Sequence, residues 1–274
     1  MVGNTLHQLD SEHGGDIVTH VTVVNNVMQA SPNNSAMTAT DIPGNPGGGW
    51  AITRNTITGG ILIVSTHFIN ITDNTITASD VPPVIIKNAA SDIMVFNNTI
   101  NETGTGSFLS GVFLEGTDPA DMPSRVSVVQ NRISVAAPDG YGVRANGALD
   151  MTVAGNTITG TTATGKVSHG VGFRVTIGPQ PALRCIVTDN TISGVSVGVG
   201  LGGNPAATPN PRLGELDVVR NSISAAHGVQ LDSENGVPDS LYVHGNNWNG
   251  LPVAQRVETI PANTTIIASD ASTP

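Results

Sequence analysis

The residues of this chain best equipped for chemistry are Arg144, Arg174, His169, His227, Glu115 and Asp232. An arginine stays charged at every pH a protein meets and grips a carboxylate through two parallel N–H bonds. A histidine trades its proton near neutrality. Two carboxyl groups can share acid and base work when they stand about 5–10 Å apart. Each of these residues lies in, or immediately before, a short segment that opens on Gly: GVFLE at 111–115, GVRAN at 142–146, GVGFR at 170–174, GVGLG at 198–202 and GVQLD at 228–232. Apolar alternation makes each segment a strand with one buried face. One outward column then holds Leu62, Ile85, Phe113, Arg144, Gly172, Gly200 and Gln230. A second holds Lys87, Glu115, Asn146, Arg174 and Asp232, and a third, just before the strand, holds Ser110, Tyr141, His169, Val197 and His227. Phe113 and Tyr141 are the aromatics placed to stack on a ligand, with Asn146 and Gln230 as neutral hydrogen-bonding groups beside them.

These strands are positioned by a repeated phrase. It reads ITRNTITG at 52–59, ITDNTITA at 71–78, VAGNTITG at 153–160 and VTDNTISG at 187–194, with weaker copies between. Its Asn falls at Asn26, Asn55, Asn74, Asn98, Asn131, Asn156, Asn190, Asn221 and Asn246, at intervals of 19 to 34 residues. The slot three before is always Val or Ile. The slot two after is Met28, Ile57, Ile76, Ile100, Ile133, Ile158, Ile192, Ile223 and Trp248. A period of this length with invariant apolar slots is the signature of stacked coils. The phrase predicts two short strands with a corner at the Asn. The Asn is expected to supply the left-handed backbone the corner needs and to bond to its counterpart in the next coil. The expected fold is all-β: a single-domain solenoid of about nine to ten coils with three short parallel sheets, over 1–268, followed by a polar tail at 269–274.

Three parallel strands per coil resemble the right-handed parallel β-helix of the pectate-lyase-like superfamily, over nearly the whole chain. The resemblance implies an extracellular carbohydrate-active protein. Polysaccharide would lie in a groove over coils four to eight, walled by the long insertions at 102–110, 116–125, 135–141, 160–169, 175–184, 203–215 and 233–240. In such enzymes an Arg or Lys on this face removes the proton in β-elimination of a uronate. Arg174 would then be base or carboxylate clamp, with Arg144 as its partner. The bland reading of Arg144 is an ion pair with Glu115, diagonal to it one coil away, just as Lys87 and Glu115 are ladder neighbours. SHGVGF and AHGVQL, which hold His169 and His227, are similar to the Gly-His-Gly strand of polygalacturonases. The chain lacks an Asp-Asp dipeptide, no second carboxylate is apparent on the floor, and Glu115 and Asp232 stand four coils apart, roughly 19 Å. Lyase or glycoside hydrolase is therefore one expectation, and a non-catalytic carbohydrate-binding or structural module of the tailspike, fibre or adhesin kind is the alternative. Clustered groups with shifted titration would favour the enzyme, and charges merely paired along the ladder would favour the module.

Composition narrows the partners. The formal net charge of −10 argues against nucleic acid, whose phosphates need a basic face. No apolar run is long enough to span a membrane, and no signal peptide is visible. Trp50, Trp248 and the single cysteine, Cys185, fill buried slots of the repeat. No metal-ligand spacing is present, and calcium held by loop carboxylates and carbonyls stays open. QLDSEHG at 8–14 matches QLDSENG at 230–236, so Leu9 and Asp10 read as the Gly-opened strand of an earlier coil. With no capping helix before it, that coil is an open edge, which suggests a fragment of a longer chain or an oligomer contact. A Leu62/Ile85 patch is a second expected contact. Residues 29–49, rich in Pro, Gly and Asn, read as a loop. The outward Thr and Ser after each ladder Asn form a flat array like that of β-solenoid ice-binding proteins. Thr also simply suits an exposed strand, and Asn101 and Arg132 interrupt the array.

Overall fold

The computed structural model describes residues 1–10, 19–30, 35–41, 47–116, 119–175, 184–203, 214–231, 238, 240–258 and 265–269. Among them there is no α-helix, only two single 3-10 turns at Pro119–Asp121 and Val253–Gln255. The strands are parallel throughout and stack coil upon coil as a right-handed parallel β-helix. The strands that precede each ladder Asn form one sheet of ten, from Thr22–Val24 to Thr265–Ser269. The strands that follow the Asn form a second column, and the Gly-opened strands form a third. These two columns belong to one 17-stranded sheet rather than two separate ones. They join because Thr191–Gly203 and Ser222–Leu231 run through both columns. Neither coil carries the insertion that breaks earlier coils at 135–141 and 160–169, so the chain turns only through a bulge between Ser193 and Val195.

The apolar slots are the core. Val23, Ile52, Ile71, Val95, Val128, Val153, Val187, Val218 and Val243 are all fully buried, as are Met28 and the Ile slots from Ile57 to Ile223. Full burial of such a side chain contributes about 1.5–3 kcal/mol, so the stacked columns supply most of the driving force. Trp50, Trp248 and Cys185 are buried as their slots require. Burial pushes the Cys185 thiol up to about 12, which leaves it unreactive.

Between the apolar slots runs a continuous asparagine ladder. From Asn26 to Asn221, each backbone N–H donates to Oδ1 of the Asn one coil on, at 2.8–3.0 Å. Each Nδ2 donates to the same oxygen at 2.9–3.1 Å. The spare Nδ2 proton reaches a main-chain carbonyl of the coil before, as Asn55 does to Val23 at 2.9 Å. The ladder also has an earlier rung, because the Asn4 N–H donates to Asn26 Oδ1 at 2.9 Å.

The corner itself differs from expectation. The left-handed residue is the one before each Asn: Gly3, Asn25, Arg54, Asp73, Asn97, Gln130, Gly155, Asp189, Arg220 and Gly245. The Asn keeps ordinary backbone geometry, because its N–H must point along the stack to the next rung. The reading of 29–49 as a loop is also corrected. Ser35–Thr40 is a Gly-opened-column strand, stacked between Leu9–Asp10 and Gly60–Val64, with Ala36, Met37 and Ala39 fully buried. Leu9 and Asp10 pair as expected of an earlier coil. The Leu62/Ile85 patch is not exposed: Ile85 is buried and Leu62 half-buried. Leu62 and Phe113, one coil to either side, flank Ile85 in the ladder.

Candidate functional site

The Gly-opened column brings most of the expected site residues onto one face. Phe113, Arg144, Gly172, Gly200, Gln230 and Glu258 stand in direct ladder register. Beside them run Ser110, Tyr141, His169, Val197 and His227. Glycine is required at two of these places. A β-carbon at Gly172 would overlap the Tyr141 ring, and one at Gly200 would overlap His169. Without those carbons each ring lies flat across the strand of the next coil. The two rings stack on one another, with centroids 4.7 Å apart and planes 3° from parallel.

Arg144 sits at the centre of this face, only 8% exposed. Its guanidinium lies 5.0, 5.2 and 5.8 Å from the ring centres of Tyr141, Phe113 and Phe108. Nε donates to Asn146 Oδ1 at 3.0 Å and Nη1 donates to the Phe108 carbonyl at 3.1 Å. Arg144 therefore props up the face, held by three rings, Asn146 and the Phe108 carbonyl. Glu115 is bound by Lys87 at 2.6 Å. That pair is about one-third exposed, and such pairs are worth 0–1 kcal/mol.

Phe108 is the residue that sequence reasoning missed. It lies in the insertion before the Phe113 strand, 55% exposed and with a left-handed backbone at φ 61. A bulky side chain holds that conformation only when its surroundings impose it. Here both ends of the residue are tied. Its carbonyl accepts from Arg144, and its N–H donates to Asp139 Oδ1 at 3.3 Å. Asp139 also accepts from Lys166 Nζ at 3.0 Å, so one buried carboxylate joins three insertions. Burial works to raise the Asp139 carboxyl, but the hydrogen bonds from Lys166 and the Phe108 amide outweigh it and hold the group below its ordinary value. Glu102, fully buried under the same insertions, accepts from the amides of Gly104 and Ala137. Its burial outweighs those bonds and raises its carboxyl.

The titratable groups are mostly spoken for. Burial, and then the Arg144 charge, drive His169 down to about 4, so its imidazole is neutral at physiological pH. His227 Nδ1 lies 2.7 Å from Glu258 Oε2. Glu258 thus supplies the floor carboxylate that seemed missing from the sequence. It is carried by the short strand Val257–Glu258, stacked on Val229 and Gln230. Arg174 belongs to the strand His169–Val175 and pairs with Gly202, but its side chain lies outside the described residues, as does Asp232.

Fold and face together define a parallel β-helix with an aromatic-lined, arginine-supported lateral surface. The sequence matches no family model and no curated protein. Among solved structures it is similar in shape to PfbA, a surface adhesin of Streptococcus pneumoniae. One PfbA structure gives 12% identity over 96% of this chain and 91% of that one, at a TM-score of 0.45. A second gives 10% identity over 85% and 80%, at 0.43. The catalytic domain of a GH87 alpha-1,3-glucanase in complex with nigerose gives 9% identity over 97% of this chain and 62% of that one, at 0.43. Likeness at this level carries nothing about activity.

Proposed function

We propose that this chain is an extracellular carbohydrate-binding β-helix whose Gly-opened face takes a polysaccharide across Phe108, Phe113, Tyr141 and His169. The observation that carries the reading is Phe108. An exposed phenyl ring is fixed at both backbone ends, at the edge of a floor of further rings, which is the arrangement that stacks on the apolar face of a sugar. Asn146 and Gln230 stand along the same floor as hydrogen-bonding groups. Binding is favoured over turnover because Lys87 and Glu115 are paired between coils and Arg144 is caged among rings. Cleavage, by a lyase or glycoside hydrolase route, is the second reading. It is favoured by the His227–Glu258 contact, an imidazole nitrogen and a carboxylate oxygen 2.7 Å apart on the floor.

The test is affinity electrophoresis against a panel of neutral and acidic polysaccharides, with each mixture also scored for unsaturated products and new reducing ends. Retardation by at least one polysaccharide, lost in Phe108→Ala at unchanged melting temperature, is expected. Retardation equal in wild type and Phe108→Ala would move the ligand off this face. New ends that vanish in Glu258→Gln would make the second reading the correct one.

A further inference from the structure

The outward side of the sheet that precedes the Asn ladder carries a cleft of about 400 Å³. It is lined by Arg184, Glu215, Asp217, Val219, Tyr242 and His244. Ladder register assembles it from three successive coils: Arg184 on Glu215, Ile186 on Asp217 on Tyr242, and Thr188 on Val219 on His244. Glu215 and Asp217 are two residues apart on one strand, so their backbones are about 6.7 Å apart and both side chains face out. They flank one guanidinium. Arg184 Nε is 3.7 Å from Glu215 Oε1, and Nη2 is 3.6 Å from Asp217 Oδ2.

Those distances are long for a charge-assisted bond. Elsewhere on the same sheet Arg125 grips Asp92 at 2.6 and 2.7 Å, and Arg220 grips Asp189 at 2.8 Å through both nitrogens. In the cleft the arginine holds both carboxylates nearby without saturating either. Asp217 Oδ1 is shut off from solvent and has no hydrogen-bond partner among the described residues. An oxygen closed to water is closed to a ligand as well, so what a ligand can reach is the 15% of the Asp217 side chain that stays exposed beside Arg184. Burial first, and the neighbouring Glu215 second, push the Asp217 carboxyl up.

Convergent acceptors beside a tyrosine ring and a valine, in a space of this size, are what a small hydroxyl-rich ligand needs. With Glu215 and Asp217 set against Arg184, the cleft carries an excess of negative charge, which disfavours an anionic ligand. We propose that this cleft is a second saccharide site, taking one or two neutral sugar residues with hydroxyls on Glu215 and Asp217 and a sugar face on Tyr242. It is independent of the groove on the Gly-opened face.

The test titrates the isotope-labelled 274-residue chain with cellobiose, maltose, lactose and digalacturonate, followed by amide shifts. At least one neutral disaccharide should shift Ile186, Asp217, Val219 and Tyr242. Digalacturonate should bind there at least tenfold more weakly. Tyr242→Ala should weaken the neutral ligand tenfold or more at unchanged melting temperature, and Tyr242→Phe should retain it. The proposal is overturned if no neutral disaccharide shifts these residues, if digalacturonate binds equally well, or if Tyr242→Ala binds like wild type. Shifts at Phe113 and Tyr141 report the groove, so the two readings fail separately.

Discussion

A single asparagine oxygen accepts two hydrogen bonds from the coil before it, and this sets the cost of losing one. Asn156→Ala removes the acceptor of both the Asn131 N–H and its Nδ2. It should destabilise the fold by about 1–3 kcal/mol, because the orphaned amide stays buried. Asn70→Ala, at an exposed position, should change the urea midpoint hardly at all. The residue before the rung behaves in the opposite way. Arg54 is left-handed and exposed, so Arg54→Gly relieves a conformational penalty at no loss of packing. It should raise stability by up to about 1 kcal/mol, and a fall would show that the Arg54 side chain contributes more than its backbone costs. His169 is a third case. Its folded value near 4 lies below the ordinary 6.5, so the unfolded chain binds the extra proton between those limits. Its contribution is complete above about pH 6.5 and is lost as pH falls toward 4, by up to about 3 kcal/mol. The carboxyls of Glu102 and Asp217 are raised and act in the opposite sense. The comparison to make is therefore wild type against His169→Phe, whose stability difference should change with pH over that window and no other.

At the scale of strands and insertions, legibility followed repetition. The apolar columns, the ladder and the Gly-opened strands could be read because each coil restates the same physical demand. Ser35–Thr40 could not, since Ala and Thr between Pro- and Gly-rich flanks give a strand no distinguishing signal, and only its neighbours in the stack reveal it. Phe108 was illegible for a related reason. Its conformation is imposed by Asp139 and Arg144, 31 and 36 residues further on. The cleft on the other sheet had a signal that alignment of outward positions would have found: Asp217 and Tyr242 occupy equivalent slots in adjacent coils, with Glu215 two residues before Asp217 on the same strand. Asp139 offers a test at this scale. Asp139→Ala should release the insertions it joins. Amide exchange over 103–109 and 161–168 should quicken tenfold or more, while the strands Ser110–Glu115 and Tyr141–Asn146 keep their protection. Equal protection in both proteins would mean that packing alone holds the walls.

At the scale of the whole molecule, the solenoid in this proposal is the support and its lateral faces are the ligand-bearing surfaces. Stacked coils repeat at about 4.8 Å, so a sugar chain laid along the stack passes several equivalent slots in register. On the Gly-opened face Tyr141 and His169 hold such slots, each ring lying against the next coil, with Phe113 in the adjacent column beside Arg144. The most direct measurement of this account is the map of amide shifts when the best-retained oligosaccharide is added to labelled protein. Shifts centred on Phe108, Phe113, Tyr141, Arg144 and His169, absent in Phe108→Ala, are the predicted result. Shifts confined to the Thr-rich strands after the ladder Asn, or spread evenly over all three columns, would contradict it.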